Sequence, residues 1–265
     1  LKEKDRHNFL WLNLIDRKND GKSLQKIIDI WILKYSKYKR NIWENSVLSK
    51  RIISWILNVD IILNNGSFYF KRSLLNSIIS QTNHLKKSIK FEKNDCKKIE
   101  VLTALILSGL VFKEYKDNFD LGIKEMEKLV KNYFDKEGFP LTRNPSDLIF
   151  FVKYLILCRK CIDDAQNYVP EFLDTIIDQS LKCISGILTP SNQIPLFNGG
   201  TEDNLEQFNN FSNMLDFRSK NKKRFIGGIH IFINKNNALF FEVGEPPKKG
   251  FSQSYQSGPL SFEYY

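Results

Sequence analysis

The chain has 265 residues and 42% hydrophobic content, with 21 Phe, 10 Tyr and 4 Trp, enough for one large core or two smaller ones. Its net charge is +10, but lysine is spread over nearly every segment and gathered into no single stripe. With no recognition motif, that pattern argues against a dedicated polyanion groove and ranks nucleic-acid binding last. No apolar run reaches the roughly 18 residues of a membrane span. The nearest, 99–112, starts beside Lys97, Lys98 and Glu100 and reads as a buried core helix.

In chain order, residues 1 to about 215 read as a series of amphipathic helices. Phe9, Leu10, Leu12 and Leu14 open a first segment that ends near Asn19, Asp20 and Gly21. Ser23 is placed to cap a second, with Ile27, Ile28, Ile30, Trp31, Leu33 and Tyr35 as its apolar stripe. Asn45 or Ser46 caps a third, carrying Val47, Leu48, Ile52, Ile53, Trp55, Ile56 and Leu57 up to the break at 64–66. The pattern predicts further helices over about 68–89, 96–112 and 119–134. After the turn at Glu137, Gly138, Phe139 and Pro140, a helix starts at Asn144-Pro145, since proline suits a first helical turn. Another covers about 170–187, and a last one about 202–214.

Beyond Lys220 the period changes from 3.6 to 2. Ile229, Ile231 and Ile233 alternate with His230 and Phe232, residues 234–237 look like a hairpin turn, and 238–243 is the return strand. Phe262 and Tyr264 read as a strand entering a core where the sequence stops. A strand ending there, and a first residue that is not Met, read as an internal stretch of a longer protein. Helices first and strands after imply an α+β multidomain chain, divided into 1–215 and 216–265, with short links favouring antiparallel helix hairpins.

Four cysteines are present. Cys158 and Cys161 have C-x-x-C spacing, but on a helical stretch, with no second pair and no nearby His, so they read as plain thiols and not as a zinc or redox site. The cysteines suggest no disulfide scaffold and leave the compartment open. No residue set calls for a metal or an organic cofactor.

Several segments together resemble the heparinase II/III-like family of polysaccharide lyases and their bacterial relatives. Trp43, Arg51 and Trp55 resemble a Trp…Arg-x-x-x-Trp signature on an early toroid helix. His84-Leu85, then Ala104-Leu105 and Ser108-Gly109-Leu110, follow in the family's order. Glu137-Gly138 with Arg143-Asn144-Pro145 is similar to its Asp-Gly…Ser-Pro turn, and Pro195-Leu196-Phe197-Asn198-Gly199 follows. The most specific stretch is Gly244-Glu245-Pro246-Pro247 with Ser257-Gly258-Pro259-Leu260-Ser261-Phe262-Glu263. The resemblance implies an incomplete α/α toroid packed on an antiparallel β-sandwich, here truncated, with a substrate cleft at their junction. It also implies β-elimination at a uronic acid of an acidic polysaccharide. That reaction needs a neutraliser for the uronate carboxylate, a base (His or Tyr) for the C5 proton and an acid (Tyr) for the leaving oxygen.

The sequence departs from the family where this chemistry sits. The family's Asn-His pair falls on Cys96-Lys97, its Tyr-His pair on Asp147-Leu148, and its sandwich His on Gln256. The remaining candidates are His84 as a base or glycan contact, and Arg143 with Asn144 as a guanidinium fork beside a helix start, where a carboxylate also meets the helix dipole. Each has a plain alternative, a packed helix His for the first and a surface Arg with a helix cap for the others. Lys97 is a candidate uronate cation, Asn198 a candidate sugar contact, and Tyr115 and Tyr133 candidate acids or sugar platforms; a solvated Lys, ordinary turn chemistry and core tyrosines are the alternatives. Two functional readings follow: a lyase with a relocated catalytic set, or a non-catalytic protein of the same architecture that binds acidic glycans or serves in assembly.

Overall fold

The computed structural model describes residues 3–15, 21–64, 66–201, 205–214, 223–245, 250–251 and 261–265. The chain forms two compact units, Leu1–Met126 and Glu127–Tyr265.

The first unit is helical. It holds α1 (Glu3–Asn8), a 3-10 turn at Leu10–Leu14, α2 (Gly21–Tyr35), α3 (Asn45–Leu57), α4 (Val59–Leu63), α5 (Phe68–Ser88), α6 (Asp95–Val111) and the start of α7 (Lys116–Tyr133). Ser67 Oγ accepts from the Phe70 N–H at the head of α5, and Asn94 Oδ1 accepts from the Lys97 N–H at the head of α6. Ser23 proves to lie inside α2, which starts two residues earlier, so it is not the cap the sequence pattern suggests. At α3 the cap position is Glu44, and no side chain closes it.

Helix α3 packs on α1, α5 and α6, and α2 on α4 and α5. Their core is aromatic: Phe9, Trp31 and Trp55 meet edge to face with centroids 5.2–5.5 Å apart. Arg51 is fully buried against the Trp31 ring, its guanidinium 4.3 Å from the centroid. It donates to Gln81 Oε1 at 2.6 Å, to the His7 carbonyl at 2.8 Å and to the Ile42 carbonyl at 3.3 Å. The Trp…Arg-x-x-x-Trp spacing is therefore a packing motif: Arg51 and Trp55, one turn apart on α3, both pack on Trp31, and Arg51 ties three chain segments together. Helices α6 and α7 meet closely, because a Cβ on Gly109 would stand 2.4 Å from the Phe119 nitrogen.

The second unit holds the end of α7, then α8 (Pro145–Asp164), α9 (Glu171–Ile187), a 3-10 turn at Phe197–Gly199, α10 (Leu205–Met214) and four strands: β1 (Phe225–Ile226), β2 (Ile229–Ile233), β3 (Ala238–Glu242) and β4 (Phe262–Tyr264). Pro145 stands in the first turn of α8, and Asn144 caps it, its Oδ1 accepting from the Ser146 N–H at 2.8 Å. Helix α8 packs on α9 and α10, and α9 reaches β1. The sheet is antiparallel in the order β1-β2-β3-β4. One face buries Ile229, Ile231, Ala238, Phe240 and Glu242.

Phe262 and Tyr264 occupy a strand, as their alternation suggests, but their side chains are exposed. The intervening Glu263 points the other way and accepts from the Leu196 N–H at 2.8 Å and the Tyr265 hydroxyl at 2.8 Å. The expected boundary between 215 and 216 lies outside the described residues, as does much of the 244–263 motif, Gln256 included. Among the described residues, no helix is long and apolar enough to cross a membrane.

Candidate functional site

The sequence candidates separate into two groups, one in each unit. In the first unit, α5 carries His84 to the wall of a cavity of about 420 Å³. The loop between α2 and α3 supplies Tyr38, Arg40, Asn41 and Trp43; Glu44 and Asn45 at the head of α3, with Glu92, complete the lining. The His84 ring is half-buried, edge-on to Trp43 with centroids 5.4 Å apart and tilted against Tyr38 at 5.7 Å. Burial, and secondarily the charge of Lys87, pull its pKa below the ordinary imidazole value, so the ring is neutral and able to accept a proton near neutral pH.

Lys97 lies beside this group. Its ammonium is 2.9 Å from Glu44 Oε1, and Lys4 is 2.6 Å from Glu44 Oε2. These two hydrogen bonds hold Glu44 below the usual carboxylate range, and the Glu44 hydrogen bond raises Lys97. The cation proposed to meet a uronate is thus already paired with a carboxylate of the protein. Glu92 is likewise occupied, accepting from the Asn45 amide at 2.9 Å and the Asn94 N–H at 3.2 Å. Tyr115 is half-buried on the 3-10 turn Lys113–Tyr115, edge-on to Phe112; it does not line the cavity.

In the second unit, Arg143 and Asn198 are brought together around a carboxylate that sequence reasoning missed. Glu242, fully buried on β3, sits 3.4 Å from Arg143 Nη1. The Asn198 amide donates to Glu242 Oε2 at 2.9 Å and to the Arg143 carbonyl at 3.1 Å. Both Arg143 (φ 57°) and Asn198 (φ 56°) adopt the left-handed conformation, which costs a non-glycine residue roughly 1–3 kcal/mol and persists only where surroundings enforce it. Here the buried charge pair does so. Two glycines make room for the guanidinium: a Cβ on Gly244 would lie 2.0 Å from Arg143 Nη1, and one on Gly228 3.0 Å from it.

Asn144 serves as the α8 cap. Tyr133 is buried, stacked on Phe151 at 4.1 Å, and donates its hydroxyl to Asp147 Oδ2 at 2.8 Å; the Thr142 hydroxyl donates to the same oxygen at 2.7 Å. The signal that would have found Tyr38 and Arg40 is the basic-aromatic run from Lys34 through Tyr35, Lys37, Tyr38 and Lys39 to Arg40, directly before Trp43. Glu242 left no such signal, being one acidic residue among the alternating apolar residues of a strand.

Cys158 and Cys183 are buried, and burial pushes Cys161 up to about 11 and Cys183 up to about 12, so neither Cys161 nor Cys183 is a poised nucleophile. Among the described residues, no group of three or more His, Cys, Asp or Glu side chains is gathered to hold a metal ion.

No family model matches the sequence, and no curated protein matches it. Solved structures do. A heparinase III superposes with a TM-score of 0.75 at 14% identity, over 98% of this chain and 48% of that one. The heparan sulfate lyase HepC from Pedobacter heparinus superposes with a TM-score of 0.72 at 15% identity, over 100% of this chain and 48% of that one. The chain spans about half the length of these structures. At such identity the likeness establishes the fold, and that fold is the one of heparinase III: an α-helical toroid of paired helices followed by antiparallel strands.

Proposed function

We propose that this protein acts on uronate-containing acidic polysaccharides as a carbon–oxygen lyase, by β-elimination, with His84 as the base that takes the C5 proton. The observation that carries this reading is a neutral, half-buried imidazole on the wall of a polar, aromatic cavity, in a chain with the heparinase III fold. Such a histidine meets the requirement of a general base at neutral pH, and the aromatic wall suits a sugar ring. Within the second unit, Arg143 and Asn144 remain a proposed carboxylate-binding pair, with Asn198 and Tyr133 as proposed substrate contacts; within the first, Lys97 and Tyr115 are proposed substrate contacts. In the same reading, a toroid domain of residues 1–215 precedes a β-sandwich that begins with the four strands.

The second reading is a non-catalytic binder of acidic glycans. It is favoured by the internal partners of Arg143, Asn198, Tyr133 and Lys97, which tie these groups into the protein. The two are separated by incubating the intact protein with uronate polysaccharides and following the ultraviolet absorbance of the unsaturated product. A lyase gives a rise that His84→Ala abolishes; a binder gives none, while calorimetry still detects the glycan.

A further inference from the structure

We propose that the first-unit cavity holds one acidic sugar residue, with Arg40 reading its carboxylate, Tyr38 and Trp43 carrying its ring, and His84 facing its hydroxyls. This rests on the glycan reading above and adds to it the recognition site and the residue that selects acid over neutral sugar.

The cavity's volume suits one sugar unit. About 420 Å³ falls within the roughly 300–1,000 Å³ of small-ligand pockets and accommodates a single hexuronate unit. Charge comes next. Two carboxylates line the cavity, and both are engaged: Glu44 by Lys4 and Lys97, Glu92 by the Asn45 amide and the Asn94 N–H. Arg40 also lines it and, among the described residues, forms no ion pair and no hydrogen bond. The oxygens of Glu92 are satisfied by neutral donors, and the guanidinium is therefore a lining cation that no protein carboxylate pairs among the described residues. Its planar fork matches a carboxylate in two parallel hydrogen bonds, which a neutral sugar cannot supply.

Shape and hydrogen bonding agree. Tyr38 is 63% exposed, so one ring face is open, and its ring stands 6.2 Å from Trp43 and 5.7 Å from His84. These rings offer an apolar face for the C–H surface of a pyranose. Among the described residues, the Tyr38 hydroxyl, the Asn41 amide and both His84 ring nitrogens make no hydrogen bond within the protein. Donors and acceptors thus surround the aromatic wall with the guanidinium to one side, an arrangement suited to a polyhydroxylated anion.

The test uses the intact protein, a uronate-containing tetrasaccharide, and the same tetrasaccharide with its carboxyl groups reduced to alcohols. Calorimetry gives affinity, and the His84 imidazole resonances report occupancy. The wild type should bind the acidic form on the order of tenfold or more tightly than the reduced form and shift the His84 resonances. Arg40→Gln, on an exposed loop, should remove that preference, and Tyr38→Ala should weaken both forms. Binding with His84 shifts but no unsaturated product would uphold the pocket and remove the lyase chemistry. Equal affinity for both sugars, or Arg40→Gln and Tyr38→Ala proteins that bind and shift as the wild type does, would overturn the pocket even if product forms.

Discussion

His84 and Arg51 show two opposite uses of a buried or half-buried base. Burial lowers the His84 pKa, so the folded protein favours the neutral ring. The stability this contributes is complete above the unfolded value near 6.5 and is lost as pH falls through the lower folded value. Urea unfolding should therefore show wild type losing more stability than His84→Gln on acidification below pH 6.5; identical slopes would contradict the assignment. Where His84 acts as a base, the acid limb of kcat/KM should also fall below 6.5. Arg51 is lowered by burial to about 9 and stays charged at neutral pH, held by carbonyls, an amide and the Trp31 face. Arg51→Ala would leave the Gln81 amide oxygen and two carbonyls without this donor and open a void, costing about 3 kcal/mol or more in chemical denaturation. At Asn198, alanine would remove the amide that satisfies buried Glu242 and force a Cβ-bearing residue without a local hydrogen bond into the left-handed region. A loss of about 2–3 kcal/mol is expected, with Asn198→Gly losing less.

Helices were legible because their periodicity is strong and their ends are marked. Asn94 before α6, Ser67 before α5 and Asn144-Pro145 at the start of α8 are side-chain or proline signals that the structure uses as such. The start of α2 was less legible, since Ser23 offers a cap that the fold passes over. The strand pattern gave β2 and β3 within a residue, but not which face of β4 turns inward: alternation fixes two faces, and partners decide which is buried. The candidate site was less legible than the fold. Tyr38 and Arg40 share one loop, but His84 and Glu92 lie on other segments, and Glu242 meets Arg143 across 99 positions. Close helix packing adds a further check. Gly109→Ala would drive its Cβ into the α7 backbone at Phe119, and overpacking of about 1–3 kcal/mol should lower the unfolding midpoint. An unchanged midpoint would show that α6 and α7 separate without cost.

For the molecule as a whole, the fold is settled by agreement between an ordered series of weak motifs and a superposition over nearly the full chain at 14% identity. A net charge of +10 did not reveal the partner, because scattered lysines say little until their pairing is known. Pairing makes the distinction: Lys97 and Lys4 neutralise Glu44, while Arg40 remains available at the cavity. Activity follows from fold only through a site, and here the site proposed is a neutral imidazole among aromatic rings. The most direct measurement is the ultraviolet absorbance of the intact protein acting on a panel of uronate polysaccharides, with His84→Ala alongside. The account predicts a rise in unsaturated product that the substitution abolishes; a flat trace on every substrate, or a rise that survives His84→Ala, would contradict it.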